Sequence, residues 1–383
     1  MELKGNLAIY GAGNIGKDVL LSLQKMQKKV VCFIDQNKSG NKIDNIKIIS
    51  LEEIKSYEID IVIIGIFSSP EQCETNYIIN NLVKYNLKKI ITFEEFFQSF
   101  YTFFNKSNYY WLTSTEYFKK DIEKINKVKY LFIDEKSREL YDAQIRHRLG
   151  ESYKILPKPE FDSIQYLSDD VPINRNNINF IDLGAYTGDT ILTLLENGVT
   201  FNKILAFEPD IGNFLKLSEN INKIKNEISE FFLFPTGVAD INNVMFFDSA
   251  ESSNSSFIEN GNSSVPVISI DDCIFGFNPD YIKIDIEGFE LNALKGLKNT
   301  ISKFRPNIAV CLYHLPNDIY DIPIWFNENF ENYSLYLRVH FSHCFETVLY
   351  AISAEQSRAE QSRAEQSRAE QSIIFDHYCK EAA

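Results

Sequence analysis

The chain has 383 residues and a formal charge of −14, with hydrophobic residues at 44% and charged residues at 24%, the balance of a globular protein long enough for two cores. That charge repels a phosphate backbone, and no basic, aromatic-studded stretch offsets it, which argues against DNA or RNA as substrate. No apolar run reaches the roughly 20 residues that span a bilayer, and the N-terminus enters a strand pattern at once, so a cytoplasmic protein without a signal peptide is expected.

Residues 1–100 alternate strand-like and helix-like segments. NLAIYG, VVCFID, IDIVIIGI and KKIITF read as strands, and GAGNIGKDVLLSLQKM as a glycine turn opening a helix. Short β-branched runs separated by helical periods predict a small Rossmann-like domain with a parallel sheet. Residues 101–175 hold helical spacing rich in charge and aromatics, as in YYWLTSTEYFKKDIEKINKV and EKSRELYDAQIRHRL, and are expected to form a helical connector.

A second α/β series fills residues 176–352. It opens at INFIDLG and continues through KILAFE, EFFLFPTGVA, NVMFFD, VPVISI, DYIKIDIE, NIAVCLYH, YSLYLRVH and ETVLYAI, with GDTILTLLENG, GNFLKLSENINKIK and GFELNALKGLKNTISKF as helices between. The last two strands leave no room for a helix, which predicts a doubly wound sheet closing on an antiparallel hairpin. Residues 353–383 begin with a pentapeptide repeat, SAEQSRAEQSRAEQSRAEQS, that has no apolar face, so a non-catalytic tail is expected. The six cysteines, Cys32, Cys73, Cys273, Cys311, Cys344 and Cys379, form no CxxC pair and predict reduced, mostly buried thiols.

The strongest constellation is INFIDLGAYTGDT. A buried strand ends in Asp182, Gly184 and Gly188 sit in the turn around Ala185 and Tyr186, and Asp189 and Thr190 open a helix. Glycines suit a turn that a cofactor must approach closely. Some 20 residues on, KILAFEPD ends a second strand in Glu208, followed by Pro209, where a carboxylate can accept hydrogen bonds from ribose hydroxyls. Dinucleotides need a pyrophosphate seat at the helix N-terminus, and the acids Asp182 and Asp189 work against one. A cofactor with an ammonium and a sulfonium, S-adenosylmethionine, suits them better.

The third element, DYIKIDIEGFELNALKGL, places Asp285 at a strand end with Glu287, Gly288 and Glu290 turning into a helix. Ligands of open α/β sheets bind outside the carboxyl ends of the strands, where Gly184, Glu208, Asp285, His314 and His340 are all expected. The acids before the helix could equally cap it. Asp285 and His314 are the candidate acid–base residues of this rim. A divalent metal held by Asp285 and Glu287 is the less favoured route, so no resident metal is expected.

FIDLGAYTGDT, AFEPD, ISIDDC, DYIKIDIEGFELNALKGL and the closing YSLYLRVH…ETVLYA together resemble the FkbM-type methyltransferases over roughly residues 176–352. The resemblance implies a Rossmann-like fold that uses S-adenosylmethionine to methylate hydroxyls, commonly of sugars and bacterial surface polysaccharides. Tyr186 departs from the middle glycine of many methyltransferases. The N-terminal IYGAGNIG, with Gly11, Gly13, Gly16 and then Asp35, fits a nucleotide-binding fingerprint and is similar to the N-terminal domain of sugar-nucleotide acetyltransferases. A nucleotide sugar is its first expected ligand and a nicotinamide cofactor its second. An idle structural domain would look the same. The rival functions are accordingly a nicotinamide-dependent nucleotide-sugar oxidoreductase or epimerase, and a glycan-binding assembly component.

Overall fold

The computed structural model describes residues 1–67, 75–105, 109, 112–160, 164–248, 256–257, 263–274 and 276–354. The chain forms two compact units, Met1–Asn126 with Asp142–Pro157, and Lys127–Tyr141 with Lys158–Ala383.

In the first unit, β1 (Leu7–Tyr10), β2 (Val30–Ile34), β3 (Lys42–Ile43), β4 (Ile46–Ile49), β5 (Ile61–Ile64) and β6 (Lys89–Ile91) form one sheet in the order β3-β4-β2-β1-β5-β6. All pairs are parallel except the β3–β4 hairpin. That hairpin was invisible as a strand pattern because its arms are so short. Its signal lies in Asp44 and Asn45, both at positive φ (46° and 63°), as a tight two-residue turn requires. Ala8, Cys32, Ile34, Val62 and Ile64 bury one sheet face. A capping box between Thr92 and Glu95 starts the helix Phe93–Phe100. Phe93, Phe97, Phe104 and Tyr109 then pack their rings 4.8–5.9 Å apart.

The second unit has a seven-stranded sheet. Its members are β7 (Ile178–Leu183), β8 (Phe201–Phe207), β9 (Ile228–Phe234), β14 (Tyr281–Ile284), β15 (Asn307–Cys311), β16 (Tyr333–Val339) and β17 (Thr347–Ser353), in the order β16-β17-β15-β14-β7-β8-β9. β17 runs antiparallel to both β15 and β16, between which it is inserted. This is the expected doubly wound sheet with an antiparallel closing hairpin. NVMFFD and VPVISI are not part of it. They become β11 (Asn243–Asp248) and β13 (Ser263–Ile268) of a separate sheet with β10 (Gly237–Val238) and β12 (Ser256–Phe257). β11 and β13 pair antiparallel with each other, with Asn243 opposite Val267, and neither pairs with a strand of the large sheet.

The stretch 101–175 is not one connector. Residues 127–141 belong to the second unit because they satisfy a buried cation. The Arg338 guanidinium, on β16, is 1% exposed and reaches Asp134 Oδ2 at 2.7 Å and Asp170 Oδ1 at 2.9 Å. An unpaired charge there would be costly, so its partners are drawn in with the chain that carries them. The repeat tail, Cys73 and Cys379 lie outside the described residues. Cys32, Cys273 and Cys311 are free thiols.

Candidate active site

β7 is buried to its end and delivers Gly184 at φ +79°. A Cβ on Gly184 would stand 1.9 Å from the Asp285 backbone oxygen. Glycine is therefore required here by the neighbouring strand end as well as by any approaching ligand. Tyr186 takes the left-handed conformation (φ +47°), which explains why other turns of this kind use glycine at that place. Its side chain is exposed, and its N–H donates to Glu208 Oε2 at 2.9 Å. Glu208 Oε1 accepts from the Asp210 N–H at 2.9 Å. Burial pushes the Glu208 carboxyl up to about 7, against the pull of those two N–H groups. Ala185 is buried, Thr190 and Pro209 are half-buried, and Asp189 is exposed in the first turn of the helix Asp189–Glu196.

Asp182 does not face outward. It is fully buried, with Lys283 Nζ 3.1 Å away, and burial outweighs that cation to push its carboxyl up to about 6. Lys283, on β14, is 2% exposed and also donates to the Gly184 carbonyl. The acidic preference of the turn therefore rests on Asp189 and Glu208, because the charge of Asp182 is matched inside the protein. Sequence reasoning missed Lys283. Its signal was a lysine in the middle of the buried run YIKI, a place where an unpaired cation cannot sit.

At the end of β14, Asp285 Oδ2 accepts from Tyr166 OH at 2.8 Å. Its Oδ1 lies 3.4 Å from His314 Nε2, and Lys283 Nζ is 4.0 Å away. Burial works to raise the Asp285 carboxyl, but Lys283 and His314 hold it below its ordinary value. His314 is 3% exposed, and its Nδ1 lies 2.8 Å from Glu290 Oε1. Burial disfavours the imidazolium, yet Glu290, Asp285 and Glu287 together push the His314 pKa up to about 10. The acids around His314 therefore favour its charged form, and its own charge helps hold Asp285 ionised.

Around Asp285 lies a polar network that sequence reasoning did not assign. Tyr166 OH also contacts Cys311 Sγ at 3.3 Å, and Gln165 bonds both Tyr166 OH and Glu346. Burial and the nearby Asp285 push Glu346 up to about 7. Tyr166 and Glu346 lie 119 and 181 residues from their partners, so no local motif could announce them. His340 does end β16 on this rim, but its Nε2 is paired with Tyr350 OH at 2.9 Å rather than with Asp285.

The N-terminal turn has a related geometry. Gly11 has φ +97°, and a Cβ on Gly16 would lie 2.0 Å from the Gly11 oxygen. Asp35 Oδ2 accepts from the Ala12 N–H at 2.9 Å, while Oδ1 accepts from Asn37 and Lys38 N–H at 3.1 Å each. Gly13 has open space where a side chain would stand.

Residues 182–360 match the model of the Methyltransferase FkbM domain, and residues 3–91 match the family described as C2185-like, N-terminal. Among solved structures, Methyltransferase FkbM from Methylobacillus flagellatus KT aligns over 90% of this chain and 89% of its own, at 19% identity and a TM-score of 0.73. Precorrin-6y C5,15-methyltransferase from Geobacter metallireducens GS-15 covers 47% of this chain and 82% of its own, at 11% identity and a TM-score of 0.30. No curated protein sequence matches the chain. Among the described residues no helix is long and apolar enough to cross a membrane. Asp182, Glu208, Asp285 and His314 all fall within residues 182–360, the segment that matches the Methyltransferase FkbM domain, and this match supports a methyltransferase.

Proposed function

We propose that the chain transfers a methyl group from S-adenosylmethionine to a hydroxyl of a sugar or glycan precursor, in the cytoplasm, for bacterial surface-glycan assembly. The observation that carries the cofactor reading is the state of Glu208. Each of its oxygens takes a single N–H, from Tyr186 or Asp210, and a carboxylate oxygen has a second lone pair to offer a ribose hydroxyl. The turn from Gly184 to Gly188, with Ala185, Tyr186, Asp189, Thr190 and Pro209 around it, would hold the rest of the cofactor. Once bound, S-adenosylmethionine supplies a methyl group on a sulfonium, open to in-line displacement.

The chain's own residues then have three tasks. Lys283 fixes the floor of the site by tying Asp182 to the Gly184 carbonyl, so that the turn and the end of β14 keep their spacing. Asp285, partly exposed, takes the hydroxyl proton as the carbon–oxygen bond forms and the carbon–sulfur bond breaks, while Tyr166 OH holds Oδ2. His314, held by Glu290, faces the ionised Asp285 from behind.

In the first unit, Gly11, Gly13, Gly16 and Asp35 would hold a nucleotide-linked sugar, a reading supported by the Asp35 anchor on the Ala12 N–H. Calorimetry of the full chain against S-adenosylmethionine, NAD and nucleotide sugars tests both halves. Binding of S-adenosylmethionine but not NAD supports methyl transfer. Binding of NAD alone would favour the oxidoreductase.

A further inference from the structure

Several buried atoms of the site make no hydrogen bond, among them Asp182 Oδ1 and Oδ2, Glu290 Oε2 and His314 Nε2. Glu290 Oε1 accepts from the Ile286 N–H (2.9 Å) and the Gly288 N–H (3.3 Å) and meets His314 Nδ1 at 2.8 Å, which locks the imidazole. The other ring nitrogen, Nε2, is buried and makes no hydrogen bond. It points at Asp285 Oδ1, 3.4 Å away, and Glu287 Oε2, 3.6 Å away. Both separations exceed hydrogen-bond range. They do suit donor atoms sharing an ion. With metal–ligand distances of about 2.0–2.2 Å, neighbouring ligand atoms stand roughly 3.0–3.4 Å apart. Donor atoms of Asp285, His314 and Glu290 already lie within 4.8 Å of one another, and Glu287, 28% exposed on its side chain, would move to join Asp285 and His314.

We propose that Asp285, Glu287 and His314 form a site for a divalent cation of the Mn²⁺ or Mg²⁺ class, with Glu290 as the residue that orients the imidazole. A carboxylate holding Nδ1–H while Nε2 takes the metal is the arrangement that fixes metal-binding histidines elsewhere. Two carboxylates and one imidazole favour a hard or borderline cation over a soft one, and the nearby thiol, Cys311 Sγ, is engaged with Tyr166 OH instead. Asp285 and Glu287 keep part of their surface open, which gives an ion and an acceptor oxygen a way in. The role of the ion, though not its binding, rests on the methyl-transfer reading. A carboxylate alone is a weak base toward an alcohol, and a cation on the alcohol oxygen removes that mismatch.

The test uses the full chain, stripped with EDTA, desalted and titrated with MnCl2, with free Mn²⁺ read by electron paramagnetic resonance. We expect one saturable site per chain. Glu290→Gln should weaken it by about ten- to a hundredfold, as loss of an orienting partner does. His314→Gln should weaken it further. Absence of saturable binding in the wild type, or equal binding by the wild type and His314→Gln, overturns the proposal. If circular dichroism shows His314→Gln to be unfolded, the partly exposed Glu287→Gln replaces it, and less than a tenfold loss overturns the site. Calorimetry with S-adenosylmethionine on the same samples separates the two ideas. Cofactor binding without Mn²⁺ removes only the ion, whereas Mn²⁺ binding without the cofactor removes only the methyl donor.

Discussion

The two glycine turns of this chain are near-copies in their backbone logic and differ in what stands beside them. In both, the strand after the first crossover ends in an acid whose carboxylate accepts an N–H from the turn: Ala12 to Asp35 in one, Tyr186 to Glu208 in the other. The next strand outward is the difference. In the first unit β5 runs into Gly65, and a Cβ on Gly65 would lie 2.7 Å from Gly16 Cα, so that strand is pressed against the turn and carries no charge. In the second unit β14 brings Lys283, Asp285 and Glu287 to the same rim, with His314 following from β15. The turn is a seat. In the proposed mechanism the reacting groups come from the strands beyond it, and the first unit, whose β5 carries none, is a candidate for binding alone.

The sharpest way to break this comparison is to remove the cation that the first unit lacks. Lys283→Met should leave Asp182 buried without its partner and destabilise the second unit by about 3–5 kcal/mol, read by chemical denaturation. A loss below 1 kcal/mol would mean that Asp182 is not held as an ion. Next comes Glu208→Ala, which should weaken S-adenosylmethionine by about 1.5–3 kcal/mol in calorimetry, the range for hydrogen bonds to a charged group. Unchanged affinity in a folded variant would remove Glu208 from the site.

A pH titration sharpens the same point with a smaller effect. Burial lifts the Glu208 carboxyl from its ordinary 4.5 to about 7, so the unliganded protein favours the protonated form. That contribution to stability is lost as pH rises from 4.5 to about 7, and a ligand needing the ionised carboxylate binds more tightly over the same rise. Affinity for S-adenosylmethionine at pH 6 should be about tenfold below that at pH 8, since one pH unit below a pKa leaves roughly a tenth of the group ionised. A flat profile would show that Glu208 is not the acceptor. The smallest expected effect on the cofactor is that of Gly13→Val. Nothing in the protein lies within 4 Å of the added carbon, so S-adenosylmethionine affinity should stay unchanged while nucleotide-sugar binding is lost. Retained nucleotide-sugar binding would make the N-terminal turn structural.

What the sequence disclosed follows from the range of the forces involved. Both sheets, both glycine turns and the acids at their strand ends are visible because period-two burial and turn chemistry act over a few residues. The same local reading placed β11 and β13 in the wrong sheet, since two-residue periodicity says nothing about which neighbour a strand will pair with. It also misassigned 127–141, whose place depends on Arg338 some 200 residues away. Within the site, Asp285, Glu208 and His314 could be named from their strand ends. Tyr166 and Glu346 could not, because their roles are set by partners brought together only in the folded unit, whereas Lys283 is marked locally by its place in the buried run YIKI.

The insertion of β17 has a consequence for how the second unit comes into being. Ala351 pairs with Ile308 on one side and Leu335 on the other, so the last strand of the sheet to leave the ribosome is the one that joins β15 to β16. Until it arrives, β15 exposes an open apolar edge, and β16 has no neighbour in the sheet. Residues 158–346 can collapse during synthesis, but they cannot complete their sheet, and the rim that carries Asp285 and His314 stays unfinished next to that gap. A nascent chain stalled before residue 353 would present a ready edge for mispairing, which ties the yield of active enzyme to the speed at which its last strand is made.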